Sequence, residues 1–152
     1  MTAATEALTL RPIAATDRAD WQRLWRAYLD FYQTRLPAEV YDTTFSRLIG
    51  NEGAEFRGLI ARIDGRAVGL VHYLFHRTCW AIDDTCYLQD LYADPAVRGQ
   101  GIGRVLIEAV YAAADAHGAA GVYWLTQADN TTARRLYDRI GTLTPFVKYR
   151  RG

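Results

Sequence analysis

Of 152 residues, only two are cysteine, four proline and one methionine. Two cysteines make no disulfide framework, and Cys79 and Cys86 point to free thiols in a reducing, cytoplasmic setting. No run of 18 apolar residues occurs, so no membrane-spanning helix is expected. The opening Met-Thr-Ala-Ala-Thr-Glu lacks the basic-then-apolar pattern of a signal peptide. An excess of charge of one sign is missing too. Eighteen Lys and Arg against seventeen Asp and Glu leave +1, which excludes a strong pull toward nucleic acid or an anionic membrane. Lys148 to Arg151 is only a local basic patch. With no repeat, low-complexity tract or linker to divide it, residues 1–152 are expected to form one domain. That length buries a core without staples.

Half of the residues are hydrophobic, and their spacing outlines the elements. Leu8 to Ile13 alternates as a short first strand. Thr16 or Asp17 is positioned to cap a helix from Asp20 to about Thr34. Trp21, Leu24, Trp25, Tyr28, Phe31 and Tyr32 give that helix an aromatic face. A second helix fits Ala38 to Ile49, and a loop follows at Gly50 to Gly53. The period then changes to two. Gly58 to Ile63 and Arg66 to about Trp80 read as strands joined by Asp64-Gly65, the signal of a tight hairpin turn. Ala81 to Asp84 turns the chain into a third strand, Thr85 to Ala93.

After Asp94-Pro95, a glycine-rich loop leads into a helix carrying Ile102, Val105, Leu106, Ala109, Val110 and Ala113, with His117-Gly118 as its end. Gly121 to Thr126 reads as a buried strand. Asn130 or Thr131 caps a last helix with Ala133, Leu136, Tyr137 and Ile140 inward, and a final strand is expected near Phe146 to Arg150. The expected class is α/β with a mixed sheet, mostly antiparallel, helices on both faces and one parallel pair.

The informative segment is Val97-Arg98-Gly99-Gln100-Gly101-Ile102-Gly103-Arg104. Glycines at alternate positions between a strand and a helix leave backbone N–H groups uncovered at a helix N-terminus, where phosphate oxygens bind. The segment is not a P-loop, which needs four residues between its glycines and then Lys-Ser/Thr. Nor is it a dinucleotide fingerprint, since the sixth position from Gly99 is Arg104 and from Gly101 is Leu106. A tight turn without a ligand is the bland alternative.

Arg98-x-x-Gly101-x-Gly103, preceded by Tyr87-Leu88-Gln89-Asp90-Leu91-Tyr92-Ala93-Asp94-Pro95, resembles the acyl-CoA signature of the GCN5-related N-acetyltransferase superfamily. Asn130-Thr131-Thr132-Ala133-Arg134-Arg135-Leu136-Tyr137 resembles the family's second cofactor motif, and the element order fits over nearly the whole chain. The branch most similar is the histone- and polyamine-acetyltransferase-like group. The resemblance implies an acetyl-CoA-dependent N-acetyltransferase acting on a primary amine by direct attack in a ternary complex. It implies a parallel strand pair splayed at the acyl-CoA site. The pyrophosphate would lie on the amides of Gly99, Gln100, Gly101, Ile102, Gly103 and Arg104, with Arg98 starting the motif and Asn130 beside the cofactor. The pantetheine arm would pair with Leu91, Tyr92 and Ala93, and an N–H of Leu91 or Tyr92 would polarise the thioester carbonyl.

Tyr137 matches the family's proton donor to the departing thiolate; filling the inner face of its helix is the other reading. A base must also take the amine's proton, because an amine of pKa near ~10.4 is charged at neutral pH. Polyamine acetyltransferases often carry Glu before the Asp of this strand. Here that residue is Gln89, which cannot be a base. Asp90, or a bound water, is the remaining choice, although strand alternation turns Asp90 away unless a bulge intervenes. Glu55, Asp83 and Asp84 are weaker candidates.

For the acceptor, the exposed edge of the Trp21, Trp25, Tyr28 and Tyr32 stripe is expected to wall the pocket, with Trp25, Tyr28, Tyr32 and Gln89 as substrate-binding residues. Two of the four aromatics are expected in the core. Aromatic faces attract cationic amines, and Asp30, Glu39 and Asp42 lie close in sequence, mostly as solvated surface. His72 and His76 share a strand face about 13 Å apart, too far to ligate one metal, so no metal site is expected. Cys79 and Cys86 would lie opposite each other as packed thiols. The expected partner is a small-molecule or peptide amine, with a homodimer as the assembly. The rivals are a non-catalytic acyl-CoA-binding sensor on the same fold and a nucleotide-binding regulator.

Overall fold

A computed structural model of the chain describes residues 7–50, 56–97 and 99–152. The elements follow the order β1 (Leu8–Pro12), α1 (Arg18–Phe31), α2 (Ala38–Ile49), β2 (Arg57–Ile63), β3 (Arg66–His76), β4 (Thr85–Ala93), α3 (Ile102–His117), β5 (Val122–Tyr123) and α4 (Thr131–Ile140). The five strands form one mixed sheet in sequence order. Neighbours from β1 to β4 are antiparallel, and β4 with β5 is parallel. Asp64 and Gly65 take positive φ (+50° and +83°), which the two-residue hairpin between β2 and β3 demands.

Helices cover both faces. On one, Trp21, Leu24, Trp25 and Leu29 of α1 and Phe45 and Leu48 of α2 pack on Ile60, Ala67 and Leu70. On the other, Ile102, Leu106, Ile107, Val110 and Ala114 of α3 pack on Val68, Val71, Cys86 and Leu88. Leu136 and Ile140 of α4 lie partly buried against that second cluster. The left-handed Gly118 ends α3, its N–H donating back to the Ala114 and Asp115 carbonyls.

Several expectations need correction. Helix α1 stops at Phe31, because Tyr32 is its cap and Gln33 turns to φ +53°. Asp17 precedes α1 without capping it; its carboxylate accepts the Ala14 N–H at 2.8 Å and pairs with Arg62. Thr16 lies in a single 3-10 turn, Ala15–Asp17. Strand β3 ends at His76, not Trp80, leaving 77–84 as a loop. Cys79 is exposed in that loop, while buried Cys86 lies opposite Phe75, so the two thiols do not face each other. Asn130 precedes α4, but its amide donates to the Thr126 hydroxyl instead of capping.

The C-terminal third departs most. Strand β5 is two residues long and only partly covered, with Tyr123 and Leu125 exposed. The strand expected at Phe146 to Arg150 does not form, and Leu143, Phe146, Val147 and Tyr149 stand 71–93% exposed. A strand needs a neighbour to accept its backbone bonds. Among the described residues no strand lies beyond β5 in the sheet, so the first pattern is realised only at Val122–Tyr123 and the second not at all.

Candidate active site

The site begins where two strands part. Parallel pairing of β4 with β5 covers only Cys86 with Val122 and Tyr87 with Tyr123. Beyond Tyr87, β4 pairs only with β3 among the described residues, and no described strand lies along its other edge from Leu88 to Ala93. The N–H of Asp94 donates to the Val68 carbonyl on the β3 side at 2.7 Å. Backbone alternation therefore turns the N–H groups of Leu91 and Ala93 to the open edge and that of Tyr92 toward β3. An extended, amide-rich chain entering this fork meets Leu91 and Ala93, not Tyr92, as donors.

The glycine loop closes one end of the fork. Gly99 and Gly101 have φ of +84° and +73°, and a Cβ at either would meet nothing within 4 Å. Their need for glycine is conformational, since only glycine enters this region without strain. Gly101 precedes α3 and has no side chain to cap it. The Val105 N–H is the first to turn back, onto Gly101. The amides of Ile102, Gly103 and Arg104 are left as outward donors at the positive end of the helix dipole. The side chain of Arg104 lies back along the helix on Glu108, at 2.9 Å, so Arg104 offers its backbone. Gly103 faces Leu136 of α4, where a Cβ would approach to 3.4 Å. Gln100 is exposed in the turn. Arg98 and Glu55 lie outside the described residues. The open edge and uncapped amides fit an acyl-CoA: donors for its amides at one end, donors for its phosphates at the other.

Asp90 reaches the α1 face because of a bulge. Leu88 pairs with Tyr73 and Asp90 with His72, so Gln89 is an extra, unpaired residue of β4. Before it, Cys86 and Leu88 face α3; after it, Leu91 and Ala93 do. Asp90 and Tyr92 are thereby moved to the opposite face. There Asp90 Oδ2 accepts the indole N–H of Trp25 at 3.2 Å and lies 2.8 Å from Nδ1 of His72. The indole N–H of Trp21 donates to Nε2 of His72 at 3.0 Å. The Tyr28 phenol lies near the same carboxylate. Burial first, and then that carboxylate's charge, push the Tyr28 phenol far above its ordinary pKa.

Tyr137 approaches from the other side of the sheet. It packs edge-on against Trp124, with ring centres 5.5 Å apart. Burial first, and then Tyr32, push its phenol up to about 12. Tyr137 belongs to α4, on the α3 side, while Tyr28 and Tyr32 lie at the end of α1, on the opposite side. The tyrosines influence one another electrostatically. The fork between β4 and β5 is where the sheet between them is open.

The aromatic stripe divides as expected in number. Trp21 and Trp25 are core, at 0% and 6% exposure, and Tyr28 and Tyr32 are half-buried. Trp25 therefore does not form an exposed pocket wall; it grips Asp90 from within. Gln89 is exposed on the bulge. Asp84 is held by His117 at 3.0 Å and Asp83 is exposed in the same loop, so neither joins the cluster at Asp90. Asp42 pairs with Arg18. Sequence reasoning missed His72, weighing it only as a metal ligand. A histidine inside the apolar run of β3 was the available signal, and it does not name the partner.

Comparison with known proteins agrees with this geometry. The sequence model of the acetyltransferase (GNAT) family matches residues 21–142. The D-amino-acid N-acetyltransferase HPA3 of Saccharomyces cerevisiae is 38% identical over 146 residues, which cover 95% of this chain and 90% of that protein. Among solved structures, the aminoglycoside N-acetyltransferase AAC(6')-Iy in complex with CoA superposes with a TM-score of 0.85 at 17% identity, covering 100% of this chain and 99% of that one. A ribosomal-protein-alanine N-acetyltransferase from Brucella melitensis gives 0.77 at 20% identity, covering 96% and 99%. By its sequence match and its relative, the chain belongs to the acetyltransferase (GNAT) family and is an N-acetyltransferase that uses acetyl-CoA.

Proposed function

We propose that the enzyme acetylates the primary amine of a small acceptor by direct attack, with Asp90 as general base and Tyr137 as general acid. The observation that carries this reading is the bulge at Gln89, which turns the one carboxylate of the strand away from the α3 core and into the tyrosine cluster at the fork. Acetyl-CoA, when bound, supplies a thioester carbon open to attack and a thiolate that departs. The Leu91 N–H is directed to donate to the thioester oxygen. Asp90 removes a proton from the acceptor's ammonium group, and half-buried Tyr28, Tyr32 and Tyr137 shield that exchange from bulk water. Burial keeps Tyr137 protonated, so it holds an O–H toward the departing thiolate, while the same rise makes it a weaker acid than an ordinary phenol.

The acceptor follows from the relative's chemistry. The match to a D-amino-acid N-acetyltransferase over 95% of the chain makes a free amino acid of D configuration the leading acceptor, ahead of polyamines, lysine peptides and aminoglycosides. The same reading takes the protein to be a cytoplasmic homodimer. The exposed apolar side chains Leu143, Phe146, Val147 and Tyr149 support an interface between copies, and a monomer mass in light scattering would refute it.

The test is acetyl-CoA-dependent thiol release over that panel of amines, repeated with Asp90→Asn. The wild type is expected to turn over amino acids fastest. Asp90→Asn is expected to lose about 10²- to 10⁴-fold in turnover, the usual worth of a general base, with acetyl-CoA affinity unchanged. Binding of acetyl-CoA without release on any amine would favour the non-catalytic sensor.

A further inference from the structure

Asp90 sits at the end of a hydrogen-bond chain whose direction is set at its far end. An indole N–H can only donate. That of Trp21 points at Nε2 of His72, so this nitrogen presents its lone pair. An imidazole with a bare Nε2 carries its proton on Nδ1, and Nδ1 faces Oδ2 of Asp90. The Trp25 indole, also a donor only, reaches the same oxygen. Two N–H donors therefore converge on Oδ2, and a proton placed there would meet both. The ring of His72 has little freedom to turn over. Trp21 and Trp25 pack beside it with ring centres 6.2 and 5.8 Å away, and Gly58 of β2 lies so close that a Cβ there would come within 3.3 Å of its Cδ2. The titratable neighbours are Asp90 from β4, Tyr28 from α1 and Tyr41 from α2, whose ring packs on both indoles.

We propose that Trp21 and His72 are positioning residues that dedicate Oδ2 of Asp90 to accepting hydrogen bonds and thereby reserve Oδ1 for the acceptor's proton. In the step they serve, an N–H bond of the acceptor's ammonium group breaks and an O–H bond forms at Oδ1. The nitrogen keeps the electron pair with which it attacks. If His72 took the other tautomer, two N–H donors would meet at Trp21 and two lone pairs at Oδ2, and the preferred oxygen would be lost. The proposal rests on the reading of Asp90 as the base.

The experiment is carried out on the full chain labelled with 15N-histidine. For the wild type, the His72 signals are expected to show a protonated Nδ1 and a bare Nε2. Trp21→Phe keeps an aromatic ring, though a smaller one, and removes the N–H. It is expected to mix the tautomers and lower kcat about tenfold, the effect of one lost buried hydrogen bond, with the KM for acetyl-CoA held. His72→Asn keeps a donor near the Nδ1 position and should retain most of the turnover that His72→Leu loses. A protonated Nε2 in the wild type would overturn the proposal. So would full turnover in both Trp21→Phe and His72→Leu beside an inactive Asp90→Asn. Full turnover in Asp90→Asn would instead remove the base itself, and the proposal with it, while the tautomer signal still reported whether the chain exists.

Discussion

The two faces of the sheet are built from different materials. Against α3 the packing is apolar: Val68, Val71, Cys86 and Leu88 meet Ile102, Leu106, Ile107 and Val110. Against α1 the same strands bury a histidine at 3% exposure and partly bury a carboxylate, joined to two indoles. A buried polar group is tolerated only when its hydrogen bonds are made. Among the described residues, no buried side-chain nitrogen or oxygen lacks a partner. The bulge at Gln89, in place of unbroken alternation, keeps Leu88 and Asp90 on opposite faces. Stability and chemistry are thus assigned to opposite sides of one strand, at the cost of a single irregular step.

The harshest way to break this division is to put a carboxylate on the other face. Leu88→Asp sets an unpaired charge in the apolar core against α3, where Leu88 is buried. A loss of about 3–5 kcal/mol is expected, comparable to breaking a buried ion pair, and circular dichroism with denaturant should show it. Next in size is Leu106→Ala on the apolar face. Leu106 is fully buried, and truncation should cost about 2–5 kcal/mol, lowering Tm while kcat per folded molecule stays put. That split would sharpen the contrast with Asp90→Asn, which should do the reverse.

A smaller effect distinguishes the faces by pH. Unfolded tyrosine ionises near ~10, whereas Tyr137 is pushed up to about 12. Between those values the unfolded chain has lost the proton and the folded one retains it. The stability this burial confers is therefore whole below pH ~10 and falls as pH rises through about 12. Urea titrations across that range should show the decline, and Tyr137→Phe should make it shallower, the remainder coming from Tyr28.

Local signals were legible in the sequence wherever they depended on local physics. Asp64-Gly65 needs positive φ at both positions, and Gly118 needs it once, so both could be read directly. Helix α2 was found at Ala38–Ile49 because its period and its punctuation by Pro37 and Gly50 agree. The glycine loop and the sheet's mixed character were recovered by motif and element order. What was hidden depended on partners far along the chain. Residues 121–126 look like a buried strand, but with nothing to pair their outer edge only Val122 and Tyr123 form one. The same holds for Phe146 to Arg150. The link between Trp21 and His72 spans 51 positions, and no spacing rule reveals it. The bulge that rescues Asp90 was conceivable from the sequence, but only the register of β3 on β4 locates it.

The brevity of the β4–β5 ladder has a consequence for local opening. Two residue pairs tie everything after Gly121 into the sheet, and the rest of that region depends on α4 packing at its partly buried residues. A strand-like ligand lying in the fork would act as the missing rungs. It would raise the free energy of opening in β5 and α4 far more than in β2 or β3. In amide exchange, acetyl-CoA would therefore register as slowed exchange concentrated in the last thirty residues, a footprint left by a substrate that doubles as a temporary sixth strand.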